Sequence, residues 1–389
     1  MTEPESPYLV ERMQGFGTTI FAEMSALAVA TGSINLGQGF PDEDGPAEVL
    51  DAAIAAIRDG HNQYPPGIGI PALRHAIAAH QAKWYSLVYD PDTEVLVTAG
   101  ATEAIAASLL ALCEPGSDVV TFEPYYDSYA ACIALAGAQR RVVQLRTPDW
   151  SFDAAALERA ITPATRVLLL NSPHNPTGKV FSVEELELIA QLCVEHDLVA
   201  ITDEVYEHLV FDGRHVPLAT MPGMRERTIT ISSGGKTFSC TGWKIGWICA
   251  PPDLVNAVKT VKQFLTYVNG GPFQFGVAAG LDLPGSTFRR LAAALEEKRD
   301  RLSAGLAAAG FTVLPSAGTY FVSADIRGLG ETDGLAFCRS MPARCGVVAV
   351  PSVAFYDDKD AGNPLVRFAC CKRLDVIDEA ADRLQKLTP

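Results

Sequence analysis

Ser232-Ser233-Gly234-Gly235-Lys236-Thr237-Phe238-Ser239-Cys240-Thr241-Gly242-Trp243-Lys244-Ile245-Gly246-Trp247 sets one lysine in a turn of small residues, with a second cation eight residues later. A lysine whose charge is shifted by such surroundings can attack a carbonyl carbon, whereas most lysines near glycines are solvated loop residues. What surrounds the turn decides between the two.

Working outward, short β-branched runs at 94–99, 118–122, 141–145, 166–171, 199–203, 228–232 and 244–250 alternate with helical patterns at 102–113, 126–136, 182–196 and 254–264. That alternation predicts an α/β fold, a three-layer, mostly parallel sheet with helices on both faces. It spans residues 46–284 as a large domain. A long charged helix at 286–309 opens a smaller α+β domain over 285–389. Residues 1–45, rich in Gly and Pro around 35–43, form an N-terminal arm that is partly of the small domain or packs on a neighbouring subunit. In such sheets ligands collect at the C-terminal ends of strands. Thr102, Tyr126, Asn175, Asp203 and Lys236 all fall just past predicted strand ends.

Forty-six acidic residues against 31 basic ones give a formal charge of −15, which repels phosphodiester backbones and argues against a nucleic-acid partner. Residues 1–5 are acidic and polar where a secretion signal needs a basic start, and no apolar run reaches spanning length. The expectation is a cytoplasmic protein without a membrane partner. Nine scattered cysteines, none in a C-x-x-C pair and none with His at ligand spacing, read as reduced core thiols with no metal site.

Several stretches carry chemistry. Val199-Ala200-Ile201-Thr202-Asp203-Glu204-Val205-Tyr206 is an apolar strand ending in a carboxylate, and a buried carboxylate needs a cationic partner. The ring nitrogen of pyridoxal phosphate is such a partner; a helix N-cap or a metal-ligand role is the alternative. Tyr206, three residues on, could hydrogen-bond the same ring's phenolic oxygen, or is packing. Asn171-Ser172-Pro173-His174-Asn175-Pro176-Thr177-Gly178 is a rigid turn, with a cis X-Pro bond expected, from which Asn175 can donate to an oxyanion. Val97-Thr98-Ala99-Gly100-Ala101-Thr102 runs from a strand into a helix start, whose free N–H groups suit a phosphate. In Phe122-Glu123-Pro124-Tyr125-Tyr126 one ring can stack on a flat heterocycle. Arg367, inside the apolar run Pro364-Leu365-Val366-Arg367-Phe368-Ala369, calls for a substrate carboxylate or an internal acid.

In this order and spacing the chain, from Asn35 to about Arg383, resembles the fold-type I pyridoxal phosphate enzymes, and among them the class I aminotransferases. The resemblance implies that Lys236 forms the Schiff base with the cofactor, that Asp203 pairs with the pyridine nitrogen, and that Asn175 and Tyr206 bind the phenolic oxygen. Tyr126 would stack on the ring. The phosphate would rest on the backbone of Ala101 and Thr102, on Ser233 and Lys244, and on Tyr64 lent by a second subunit, which implies a homodimer. Arg367 and the backbone at Gly39 would hold the α-carboxylate. Lysine rather than arginine at 244, with Gly37-Gln38-Gly39-Phe40-Pro41-Asp42 and Gln63-Tyr64, is most similar to the kynurenine aminotransferase and glutamine transaminase K branch. Within it, the runs 35–45 and 63–67 resemble actinobacterial N-succinyldiaminopimelate aminotransferases.

The activity so implied moves an amino group from an amino acid to a 2-oxo acid, with 2-oxoglutarate as acceptor. Kynurenine, glutamine and aromatic donors stay open, as does β-elimination from cysteine conjugates. A regulator that binds pyridoxal phosphate without catalysis is the reading from another class. No G-x-G-x-x-G or Walker pattern follows the first strand, so a nucleotide site is not expected. Specificity should come from residues 15–21, 64–70 and 267–275, and no second arginine is identifiable as a reader of a distal carboxylate.

Overall fold

The computed structural model describes residues 7–387, so the acidic stretch at 1–5 lies outside them. Strand β1 (Ile34–Asn35) belongs to the N-terminal segment. The strands β2 (Val95–Ala99), β3 (Asp118–Glu123), β4 (Gln139–Gln144), β5 (Thr165–Asn171), β6 (Val199–Asp203), β7 (Thr228–Ser233) and β8 (Ile245–Cys249) form one seven-stranded sheet in the order β2-β8-β7-β6-β5-β3-β4. Pairing is parallel from β4 through β7, while β8 runs antiparallel to both β7 and β2. The expected strands and the expected long helix, observed as Gly285–Ala308, each lie within two residues of their predicted limits.

Both faces of this sheet are apolar because both are covered. Val119, Val167, Leu169 and Ile201 pack under helices Gly100–Leu112, Asp127–Leu135 and Pro252–Lys262, whereas Val120, Leu168, Leu170 and Ala200 face the opposite layer. The alternation between neighbouring residues is the two-residue period of a strand. On that second face helix Val183–Glu195 starts at a capping box, in which the Ser182 hydroxyl accepts from the Glu185 N–H and the Glu185 carboxylate accepts from the Ser182 N–H.

Beyond residue 308 the strands are short. β9 (Thr312–Val313), β10 (Phe321–Asp325), β12 (Val350–Pro351) and β13 (Leu365–Ala369) make an antiparallel sheet in the order β12-β13-β10-β9, and β11 (Val347–Val348) pairs in parallel with β1. The N-terminal segment is thus stitched to the C-terminal part, and helix Ile20–Thr31 packs against helix Gly334–Cys345. All nine cysteines are buried and unbridged. No helix among the described residues is long and apolar enough to cross a membrane.

Candidate active site

Because six of the seven large-sheet strands point the same way, their C-terminal ends share one edge, and the start of the reversed strand β8 joins them. Asn171, Asp203 and Ser233 end β5, β6 and β7, and Lys236 sits in the four-residue helix Gly234–Thr237 directly after β7. Lys244, in the left-handed region at φ 54°, leads into β8. A cleft of about 880 Å³ opens at this edge, lined by Gly39, Ala101, Thr102, Tyr126, Asn175, Asp203, Tyr206, Ser233, Lys236, Lys244 and Arg367. Eleven of the twelve residues singled out from the sequence therefore converge. Tyr64 does not line the cleft of its own chain; it is 81% exposed, its ring edge-on to Tyr267 at 5.8 Å.

The Lys236 ammonium donates to the Tyr320 hydroxyl at 3.1 Å, and that hydroxyl donates to the Gly39 carbonyl at 2.6 Å. Burial lowers the Lys236 pKa from 10.5 to about 8, and the nearby Lys244 and Arg367 push the same way against Cys371 and Asp203. At the floor of the cleft Asp203 is 5% exposed; the Tyr129 hydroxyl donates to its Oδ2 at 2.6 Å, and the Val205 N–H reaches its Oδ1 at 3.4 Å. Burial raises its pKa, while Tyr129, the Val205 N–H and Lys236 oppose the rise. A carboxylate placed so deep with so few donors is suited to a cation brought in by a ligand.

Arg367 is 1% exposed on β13, and burial lowers its pKa to about 10. Nη1 donates to Asn175 Oδ1 and Nη2 to the Gly37 carbonyl, each at 2.9 Å, while Nε has no partner. Phe321, Phe21 and Phe355 wrap the guanidinium at 4.0, 5.0 and 5.1 Å from their ring centres. The sequence left its partner open between an internal acid and a ligand; the fold gives it no salt bridge among the described residues. A buried cation that lines the cleft without an acid partner is suited to a ligand's carboxylate.

The first turn of helix Gly100–Leu112, whose N–H groups lack helical acceptors, also lines the cleft. Lys244 Nζ lies 3.5 Å from Thr102 Oγ1. The approach depends on two glycines: Gly100 has φ +72°, and a Cβ on Gly246 would stand 2.5 Å from the Gly100 carbonyl carbon. Among the aromatic pair, Tyr126 lines the cleft whereas Tyr125 turns away and donates to Asp357 at 2.6 Å.

Sequence reasoning missed Tyr129 and Tyr320, whose hydroxyls hold Asp203 and Lys236, and Cys371, a buried thiol close enough to Lys236 to bear on its pKa. It also missed Glu23 and Arg339, which line the cleft from helices Ile20–Thr31 and Gly334–Cys345. Of the three segments expected to set specificity, residues 15–21 line the cleft, and 64–70 and 267–275 do not. Below the sheet, His80, Glu207 and His208 gather with ligand atoms within 4.8 Å, and the imidazoles share a 2.6 Å hydrogen bond. Helix Pro71–Tyr85 supplies His80 and the turn after β6 supplies the adjacent Glu207 and His208, and the long separation between them hid the grouping in the sequence.

A buried carboxylate, a lysine with a lowered pKa, a helix start beside Lys244 and an idle arginine N–H fit a flat heterocycle with a ring nitrogen, a carbonyl and a phosphate. This is the donor set of a pyridoxal phosphate enzyme on an α/β sheet. The family "Aminotransferase class I and II" matches residues 31–384. A Mycobacterium tuberculosis protein called "Probable N-succinyldiaminopimelate aminotransferase DapC" is 55% identical over 97% of this chain and 98% of its own. The solved N-succinyldiaminopimelate aminotransferase structure from the same organism superposes with a TM-score of 0.95 at 56% identity, covering 97% of this chain and all of the other. Mouse kynurenine–oxoglutarate transaminase 3 is 38% identical over 96% of this chain and 88% of its own. The chain belongs to the class I and II aminotransferase family and is a pyridoxal phosphate-dependent aminotransferase.

Proposed function

We propose that the protein moves the amino group of N-succinyl-2,6-diaminopimelate to 2-oxoglutarate, a step of lysine biosynthesis. The 55% identity to the mycobacterial relative along nearly the whole chain carries this reading. The domain division at 45 and 284 is part of it, supported by the seven-stranded sheet lying wholly within 46–284 and β9, β10, β12 and β13 wholly after 284.

Bound at the sheet edge, pyridoxal phosphate supplies an electrophilic carbon for the donor amine and a ring that accepts electrons when a Cα bond breaks. Lys236 is the residue that bonds to it. The Lys236 Nζ, when not bonded to the cofactor, would take the donor's Cα proton and return it, and a pKa near 8 suits both directions close to neutral pH. Tyr320 holds that nitrogen in place. Asp203, steadied by Tyr129, would keep the ring nitrogen protonated, Asn175 and Tyr206 would hold the phenolic oxygen, and Tyr126 would lie against the ring. Ala101, Thr102, Ser233 and Lys244 would hold the phosphate. Arg367 binds the α-carboxylate, with the backbone at Gly39 closing the other side.

The assembly in this reading is a homodimer in which Tyr64 reaches the partner's phosphate. Its support is an exposed apolar patch: Tyr64, Tyr267, Phe264 and Leu265 are 81%, 49%, 80% and 49% exposed, more than a lone surface ring needs. Unbridged cysteines favour the cytoplasm.

A single-turnover screen of donors, followed by the cofactor absorbance, tests the proposal. N-succinyl-2,6-diaminopimelate should give the highest rate per concentration. Kynurenine leading instead would move the assignment toward the mouse relative's activity, and pyruvate with ammonia from a cysteine conjugate, without an acceptor acid, would favour β-elimination.

A further inference from the structure

Four cationic side chains line the cleft: Lys236, Lys244, Arg367 and Arg339. The cofactor and the α-carboxylate account for the first three. Arg339 stands on a different wall, made by helices Ile20–Thr31 and Gly334–Cys345, with Leu335 one turn before it and Glu23 facing it. Its Nε donates to Glu23 Oε1 at 2.7 Å, and Nη1 and Nη2 have no protein partner among the described residues. Both terminal nitrogens of the guanidinium are therefore idle on a residue that lines the cleft.

The pair does little for the fold. Its side chains are 53% and 39% exposed, and ion pairs so wetted add little to stability. The volume points the same way, since 880 Å³ is near the upper end of the roughly 300–1,000 Å³ usual for small-molecule sites and leaves room beyond a flat ring and an α-amino acid. A donor with a long tail has space in the cleft that Arg339 lines.

We infer that Arg339 is a specificity residue that receives a carboxylate at the far end of the donor, with Glu23 holding the guanidinium in place through Nε and weakening its field in the absence of ligand. The inference deepens the proposed function, on which it rests: a succinylated diaminopimelate carries carboxylates distant from the reacting carbon. Arginine suits the task because its planar fork offers a carboxylate two N–H groups while a third stays on Glu23. The substrate class this site selects is an amino acid with an anionic, carboxylate-bearing tail.

The test compares holoenzyme variants on matched donors, 2-aminopimelate with its terminal carboxylate and norleucine without one, beside N-succinyl-2,6-diaminopimelate. Arg339→Gln should lower the ratio of kcat/KM for 2-aminopimelate over norleucine about tenfold, the scale of one charged hydrogen bond, chiefly through KM. Arg339→Lys should recover part of the ratio. Glu23→Gln, which leaves the guanidinium uncompensated, should raise it, a direction that a merely structural pair would not give. Suberate should lose affinity in Arg339→Gln while octanoate does not, as read by inhibition constants. An unchanged ratio in Arg339→Gln, or a fall in the ratio in Glu23→Gln, overturns the inference. The two proposals separate cleanly: if the wild type ignores the succinylated donor but the ratio and the suberate constant respond, the donor assignment fails and the subsite stands. If the succinylated donor leads the screen and neither responds, the subsite fails alone.

Discussion

Replacing Lys236 by methionine should make the cofactor-free protein more stable at neutral pH, although it removes the residue on which turnover depends. The folded pKa is about 8 against 10.5 for a free lysine. Below pH 8 both states hold the proton, and keeping the ammonium in the folded cleft costs about 3 kcal/mol at about 1.4 kcal/mol for each pH unit separating the two values. Between pH 8 and 10.5 the unfolded chain binds more protons, so the cost shrinks as pH rises, and above 10.5 it is gone. Two effects reduce the gain from the substitution. The side chain faces the cleft and is only partly enclosed, so water screens its charge. Methionine also forfeits the 3.1 Å bond to Tyr320, worth about 1 kcal/mol. The net expectation is about 1–2 kcal/mol of stabilisation at pH 7, falling to zero or slightly below by pH 10.5. Urea unfolding of both apoproteins at pH 7, 9 and 10.5 measures it. A wild type more stable than the variant at pH 7, or a gap that does not close with pH, would refute the view that burial strains this ammonium.

Other substitutions test the remaining groups. Tyr129→Phe removes the 2.6 Å bond to Asp203 and should cut kcat about tenfold while moving the pH at which the bound-cofactor absorbance changes; a lower kcat with an unmoved profile would make Tyr129 structural only. Arg367→Gln should raise KM for both amino donor and oxo acid about a hundredfold, and an equal effect on amines that lack a carboxylate would remove it from substrate binding. His174, pushed down to about 3 by burial and by Lys179, stays neutral in the folded protein while the unfolded chain protonates near 6.5. Its contribution is full above pH 6.5 and lost as pH falls from there toward 3, about 2–3 kcal/mol by pH 4.5. His174→Gln should flatten the acid limb of a stability–pH curve by that amount, as chemical denaturation would read.

How much was legible follows from what each feature depends on. Strand positions were readable because β3, β5, β6 and β7 are mostly buried on both faces and so appear as short apolar or β-branched runs. Site residues at strand ends inherited that legibility. The insertion of β8 between β2 and β7, against the direction of both, was not readable, since chain order does not reveal which neighbour a strand takes. Long-range pairs were equally hidden: Tyr129 meets Asp203 across 74 residues, and Arg339 meets Glu23 across 316. Tyr129, Arg339 and Glu23 are ordinary helical residues in their own segments, and only the layered packing gives them partners. Tyr64 is the converse, a residue named by resemblance that stands at the surface of its own chain.

The claim on which the account turns is that the lysine of the Gly-rich turn after β7 carries the cofactor. Borohydride reduction of the purified holoenzyme followed by peptide mass mapping tests it most directly. The account predicts the pyridoxyl-phosphate mass on the peptide containing Lys236, with Lys236→Met unlabelled. Label on Lys244 or any other lysine, or a holoenzyme that takes no label at all, would contradict it.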